Sequence, residues 1–142
     1  MNYETVIGLE IHVQLSTQSK AFCGDDIRFG GDPNTQVSAI SLGHPGTLPR
    51  LNEKQVEYAV RLGLALGSTI NLEHTFDRKN YFYADLPKGY QITQDNQPVC
   101  VGGGVTITTE EGEKYIRIHH IHMEEDAGKS MHDSDAPLAT LT

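Results

Sequence analysis

Residues 52–67 read NEKQVEYAVRLGLALG, the clearest helix in the sequence. Asn52 is placed to cap it, and Gln55 three positions later completes the pattern of a capping box. Val56, Ala59, Val60, Gly63 and Leu64 recur at i, i+3, i+4, i+7 and i+8, an apolar stripe that should cover a sheet. Gly67 stands where a helix ends in the left-handed position. On both sides of this helix the period changes to 2. Upstream, GLEIHVQL (8–15) alternates Leu9, Ile11, Val13 and Leu15 with Glu10, His12 and Gln14, so residues 6–15 are expected to form a strand. Downstream, VCVGGGVTI (99–107) and EKYIRIHHIHMEEDAG (113–128) read as strands joined around 110–113, where EEGE supplies turn chemistry. Strand, helix, then several strands points to an α+β fold with an antiparallel or mixed sheet.

Between these elements the chain is punctuated. Residues 24–36, rich in Gly, Asp and Asn, read as loop, and 37–42 as a short strand. Pro45-Gly46 suits the centre of a type II turn, and the Gly102–Gly104 triplet reads as a bulge or bend. Residues 133–142 finish on an apolar alternation, as if a strand were beginning, so the chain is expected to stop partway through a larger domain.

The 142 residues suit one domain (1–142), and 37% hydrophobic residues suffice for a core. A net charge of −8 argues against a general basic surface for nucleic acid. The two cysteines, Cys23 and Cys100, have no framework spacing, and no leader or membrane span is read; a soluble cytoplasmic protein is expected.

Three segments carry chemistry. Glu10 and His12 share one strand face, about 7 Å apart at a rise of ~3.3 Å per residue, within reach of one ion or phosphate; a wet strand surface is the plainer explanation. IHHIHMEEDAGK (118–129) places Glu124, Glu125 and Asp126 in succession. Such acids repel unless solvated or joined by a cation, for which Mg²⁺ is the natural occupant. In the same segment Ile116, Ile118, His120, His122 and Glu124 should share one face, with His119 on the other. That division, and the lack of zinc spacing among His12, His119, His120, His122 and Cys23, argues against zinc. FDRKNYFYADLPKGYQ (76–91) concentrates Arg78, Lys79 and Lys88 among Tyr81, Phe82, Tyr83 and Tyr90. That mix suits phosphate contact with base or ribose stacking, or a packed aromatic strand with surface lysines. Leu86-Pro87-Lys88-Gly89 should be a turn that displays Lys88.

Together, VIGLEIHVQL, FGGDPNT, LGHPGTLPRLN, FDRKNYFYADLPKGYQI and IRIHHIHMEEDAGK resemble the start of the B subunit of the tRNA-dependent amidotransferases, in order from about Glu4 to Lys129. The resemblance implies a partial cradle similar to glutamine synthetase and guanido kinases, a curved, mainly antiparallel sheet with a packed helix. It implies an ATP- and Mg²⁺-dependent ligase that phosphorylates the side-chain carboxylate of glutamate or aspartate mischarged on tRNA, then amidates it with channelled ammonia. It implies as partners a glutaminase A subunit, a small C subunit completing a heterotrimer, and mischarged tRNA, with no DNA and no membrane. By position, Glu10, His12, Glu124 and Glu125 match metal-site residues. Lys79 and Lys88 match the ammonia route, with Lys88 able to pair with Glu125 as a gate, and Tyr81 and Tyr83 are the expected nucleotide contacts. If Glu124 and Glu125 serve one site, the strand must bulge or end there. Many relatives carry a four-cysteine zinc knuckle where this chain has Cys23, Asp25, Ser38 and Ser41, so no zinc is expected, and the loop must be held by its own packing or be mobile. A fragment that stops within the cradle should be inactive alone. The competing readings are an unrelated Mg²⁺-dependent carboxylate-cluster enzyme and a non-enzymatic β-rich interaction domain.

Overall fold

Helix α1 spans Glu53–Ala65 in the computed structural model, which describes residues 2–131 and 140–141. Asn52 caps it by accepting from the Lys54 N–H at 2.9 Å. The other half of the expected capping box does not form. The Asn52 N–H is already donated to Ala21 O at 2.9 Å, and the buried Gln55 Oε1 has no hydrogen-bond partner among the described residues. At the far end Gly67 takes φ +67°, its N–H reaches Leu64 O at 3.2 Å, and the Ser68 N–H reaches Gly63 O at 2.8 Å, a Schellman ending. The buried face is centred on Gln55, Ala59 and Gly63, with Val56 and Val60 beside it. Leu64 faces out, so the stripe lies rotated from its expected position. Gly63 explains the rotation: a Cβ there would collide with Cys100 Sγ, so the glycine lets the helix lie against the strand beneath.

The strands among the described residues are β1 (Thr69–Ile70), β2 (Asp77–Asn80), β3 (Tyr90–Thr93), β4 (Cys100–Val101), β5 (Gly104–Thr109), β6 (Gly112–Arg117), β7 (His120–Ile121), β8 (Ser130–Met131) and β9 (Thr140–Leu141). All pairings are antiparallel: β1-β4-β7 under the helix, and the pairs β2-β3, β5-β6 and β8-β9. The α+β reading holds. Ala59, Val99, Cys100 and Met123 form the core, with Val56, Val60, Ile70, Phe76 and Ile121 packed on it. Burying side chains such as Val99 or Met123 contributes about 1.5–3 kcal/mol each.

The turns fall where turn chemistry put them. Thr109 pairs with Gly112 around Glu110 and Glu111, and His44 O accepts from the Thr47 N–H at 3.2 Å across Pro45-Gly46, with Gly46 at φ +84°. The glycine triplet bends the chain between β4 and β5, with Gly102 and Gly103 at φ +69° and +86°.

Two strand expectations are corrected. Residues 6–15 are neither strand nor helix, and Val6, Ile7, Leu9, Ile11 and Val13 are exposed. Alternation creates a face, but a strand needs a neighbour for its N–H and C=O groups, and no described residue pairs with this segment. Residues 37–42 form a tight turn, in which Leu42 N–H donates to Ser38 O at 3.0 Å and His44 N–H to Ala39 O at 2.9 Å. The strand expected in 133–142 falls largely outside the described residues; its described part, β9, pairs with β8.

The turn at 38–44 is fastened by Asp25. One carboxylate oxygen accepts from the Ser38 N–H at 2.9 Å, the Ser38 hydroxyl at 3.0 Å and the Ser41 hydroxyl, while Cys23 Sγ lies 3.3 Å from Ser41 Oγ. These are the four positions at which the resemblance sets zinc ligands in other chains, and here hydrogen bonds hold the loop. Burial alone would raise the Asp25 carboxyl. The Ser41 hydroxyl, the Cys23 thiol, the Ser38 hydroxyl and the Lys20 ammonium outweigh it and hold the carboxyl below its ordinary value. A depressed folded-state value means that the stabilisation is complete above the ordinary carboxylate pKa of about 3.9 and is lost as pH falls through the lower folded value. Asp25→Ala leaves the Ser38 N–H and the Ser38 and Ser41 hydroxyls without their acceptor and should cost about 1–3 kcal/mol at neutral pH. Thermal unfolding measured across pH should show the gap between parent and variant closing in acid. Equal unfolding temperatures at pH 7 would contradict this account of the loop.

Candidate functional site

The β2-β3 hairpin is the frame of the site. Its register sets Arg78 opposite Ile92, Lys79 opposite Gln91 and Asn80 opposite Tyr90. The connection closes as the expected turn: Gly89 N–H donates to Leu86 O at 3.1 Å, with Gly89 at φ +71°. Lys88 is thereby brought back over the hairpin, its Nζ 4.7 Å from the centroid of the Tyr90 ring, against which the Arg78 guanidinium also lies at 4.5 Å.

Strand β7 ends at Ile121, and residues 122–129 leave the strand conformation. The acidic stretch then runs beside β3 and is held at Met123, Glu124 and Glu125 by residues 91–94. Gln94 Oε1 accepts from the Met123 N–H at 3.0 Å, and the Thr93 hydroxyl donates to Glu124 Oε2 at 3.0 Å. Glu125 N–H donates to Ile92 O at 3.1 Å, Ile92 N–H donates back to Glu125 Oε1 at 2.8 Å, and Gln91 Nε2 donates to Glu125 O at 2.5 Å. Lys88 Nζ donates to the same Glu125 Oε1, an ion pair whose side chains are only 14% and 16% exposed. Neighbouring acids that would repel are thus parted onto separate donors.

Glu10 and His12 stand 3.8 Å apart, 85% and 76% exposed. Lys79 stands on β2 opposite Gln91. Its ammonium is raised above its ordinary value, chiefly by the Tyr81 hydroxyl, then by the carboxylates of Glu124 and Glu10. Tyr81 and Tyr83 stack with centroids 6.2 Å apart, and Lys79 Nζ is 5.6 Å from the Tyr81 ring.

The histidines correct one expectation. His120, His122 and Glu124 do share a face, since His120 Nε2 is 3.2 Å from His122 Nδ1 and His122 Nε2 is 3.8 Å from Glu124 Oε2. His119, expected on the opposite side, instead meets His120 with their Nδ1 atoms 2.7 Å apart. The chain leaves β6 after Arg117, and the links Ile118 N–H to Gly103 O and Gly102 N–H to His119 O turn it before β7. Burial, then the charges of His122 and His119, push the His120 imidazolium down.

Sequence reading passed over Gln91, Thr93 and Gln94. All three are buried, and Gln94 is 2% exposed with both ends of its amide engaged: Nε2 to His74 Nδ1 at 3.0 Å and Thr75 O at 3.1 Å, Oε1 to Val99 N–H and Met123 N–H. The available signal was a strand, YQITQ, too polar for an interior it nevertheless enters.

Among the described residues no group of three or more His, Cys, Asp or Glu is arranged to hold a metal ion. The donor chemistry still suits a hard cation, because Glu10, Glu124 and Glu125 offer carboxylate oxygens and Mg²⁺ commonly takes only one or two carboxylates, completing its shell with water and phosphate.

Fold and site together define an α+β domain in which paired acids and lysines are held by a rigid antiparallel frame. The sequence model described as the GatB/GatE catalytic domain matches residues 5–142, and the chain belongs to that family. The chain is 58% identical over 133 residues to a Myxococcus xanthus protein named as the B subunit of an aspartyl/glutamyl-tRNA(Asn/Gln) amidotransferase, a match covering 94% of this chain and 28% of the relative. Identically named proteins of Caldanaerobacter subterraneus and Clostridium tetani are 59% identical (94% of this chain, 28% of the relative) and 55% identical (97% and 29%). The chain spans somewhat over a quarter of the length of these relatives. No helix among the described residues is long and apolar enough to cross a membrane.

Proposed function

We propose that the chain is the N-terminal portion of the catalytic cradle in the B subunit of a tRNA-dependent amidotransferase. Its work is an ATP- and Mg²⁺-dependent ligase reaction in the cytoplasm, in complex with a glutaminase subunit, a small third subunit and mischarged tRNA. Family membership and the names of the relatives support the class of reaction. The observation that carries the site is the largely buried Lys88–Glu125 ion pair on the β2-β3 frame, with the Thr93 hydroxyl holding Glu124 beside it. When bound, a divalent cation would neutralise the triphosphate and the transferring phosphoryl group, so that the carboxyl of the mischarged residue is activated for amide formation.

The chain's own residues do the rest. Glu10, His12, Glu124 and Glu125 hold the cation or orient its ligands, and Tyr81 and Tyr83 offer stacked faces to the nucleotide. Lys79, its Nζ 5.6 Å from the Tyr81 ring, lines the polar route for ammonia. Lys88, paired with Glu125 and braced on Tyr90, stands at the passage for ammonia, where breaking and remaking the pair opens and closes it. The paired amides and the hydroxyl of β3 keep the acids from closing on each other.

The test is reconstitution of the full-length subunit with its two partners, assayed for amide formation on both mischarged glutamine tRNA and mischarged asparagine tRNA. ATP- and Mg²⁺-dependent product on either tRNA is expected. Glutamine hydrolysis without product on either would overturn the reading.

A further inference from the structure

We infer that Gly43 is a positioning residue for Lys88: the turn at 38–44 abuts the root of the lysine side chain and sets where its ammonium meets Glu125. The inference rests on the role of Lys88 proposed above and deepens it. Gly43 stands at φ +67°, a left-handed conformation that glycine enters without strain. A Cβ there would lie 2.6 Å from Lys88 Cγ, 3.4 Å from its Cβ and 3.3 Å from its Cα. Those atoms are the root of the side chain and the backbone under it, which cannot swing aside as a chain tip can. The bare backbone of the turn therefore lies against the stem of Lys88 with no room for another carbon.

The rest of the lysine is held from other directions. Its backbone belongs to the turn closed by the Gly89 N–H on Leu86 O at 3.1 Å, and the Tyr81 N–H ties that turn to β2 through Gly89 O at 2.9 Å. Its ammonium donates to Glu125 and lies 4.7 Å from the centroid of the Tyr90 ring. Gly43 closes the side that remains. The turn is a firm wall because it is fastened away from Lys88. The Gly43 N–H donates to Ile40 O at 3.0 Å, and Asp25 holds Ser38 and Ser41. The chain leading to Asp25 is tied in turn to the head of α1, where the Asn52 N–H donates to Ala21 O at 2.9 Å. Gly46 supplies the contrast. It stands at φ +84°, but a Cβ there would meet nothing within 4 Å, so that glycine serves its backbone alone. Gly43 serves its backbone and Lys88 together.

The experiment uses the full-length subunit in its complete complex and compares amide formation from glutamine with amide formation from added ammonium chloride. Ammonia released from glutamine has to pass Lys88, whereas added ammonium reaches the acceptor from solution. Gly43→Ala should lower the glutamine-to-ammonium ratio about tenfold, within the range that a misplacement of about 1 Å costs at a site fixed by geometry. Gly46→Ala strains its backbone in the same way without touching Lys88, and should keep the parent's ratio. Added to Lys88→Met, which keeps the stem and removes the ammonium, Gly43→Ala should lower the ratio no further. If Gly43→Ala fails to fold, Asp25→Ala, assayed below its unfolding temperature, is read in its place, and the same fall is expected. A parent-like ratio in Gly43→Ala beside a lowered ratio in Lys88→Met overturns the inference and leaves the passage standing. An equal fall in Gly46→Ala also overturns it, since backbone strain would then be the cause. A parent-like ratio in Lys88→Met overturns the proposed passage, and the inference with it.

Discussion

Glu125→Gln, placed in the full-length subunit and assayed in the complete complex, should abolish amide formation while leaving glutamine hydrolysis largely intact. The amide has nearly the carboxylate's shape, and its oxygen can still accept from the Ile92 N–H. What it loses is charge. Lys88, 14% exposed, would face a neutral partner, and a half-buried ammonium without its counter-ion costs more than a surface pair is worth. The proposed cation would lose an anionic ligand in the same step, so a fall in amide formation of at least about 100-fold is expected. In the proposed complex glutamine hydrolysis falls to the other subunit, which gives the internal control. A variant that forms amide at the parent's rate would remove Glu125 from the metal assignment.

Gln94→Leu should destabilise the domain by about 3–5 kcal/mol, the largest stability effect expected of a single substitution here. Leucine fills the space but offers nothing to the Val99 and Met123 N–H groups or to Thr75 O, all met by the glutamine amide. Each buried group left unpaired costs about 1–3 kcal/mol, since water cannot replace a partner that is 2% exposed. Because Met123 is both a core residue and the approach to Glu124, the same change should loosen the acidic stretch. Urea or thermal unfolding tests it, and a loss under about 1 kcal/mol would show that the clasp is not structural.

Only the second of these effects rests on a group that was hard to see in the sequence. The helix was legible because its caps and stripe are local, and Asn52 and Gly67 need only their neighbours to act. Turns were legible for the same reason, as Pro45-Gly46 and the glycine before Tyr90 show. Residues 6–15 were misread because alternation records a preference for pairing without naming a partner. The 37–42 segment was misread because its conformation depends on a carboxylate twelve or more residues away, Asp25. His119 and His120 meet because glycines 102 and 103 bend the neighbouring chain, an effect no period in 113–128 contains. Glu10, His12, Glu124, Glu125, Lys79 and Lys88 stood out by type and spacing. Gln91, Thr93 and Gln94 did not, because a buried polar residue is identified by its partner across space and only the folded register supplies that partner.

The most direct measurement is a double-mutant cycle on Mn²⁺ affinity in the complete complex, using Glu10→Gln, Glu124→Gln and the pair together. If residues more than a hundred positions apart hold one ion, each single change should weaken binding about tenfold or more, and the double change should cost clearly less than the two combined. Full affinity in Glu10→Gln, or losses that simply add, would mean that the two acidic stretches do not share a cation.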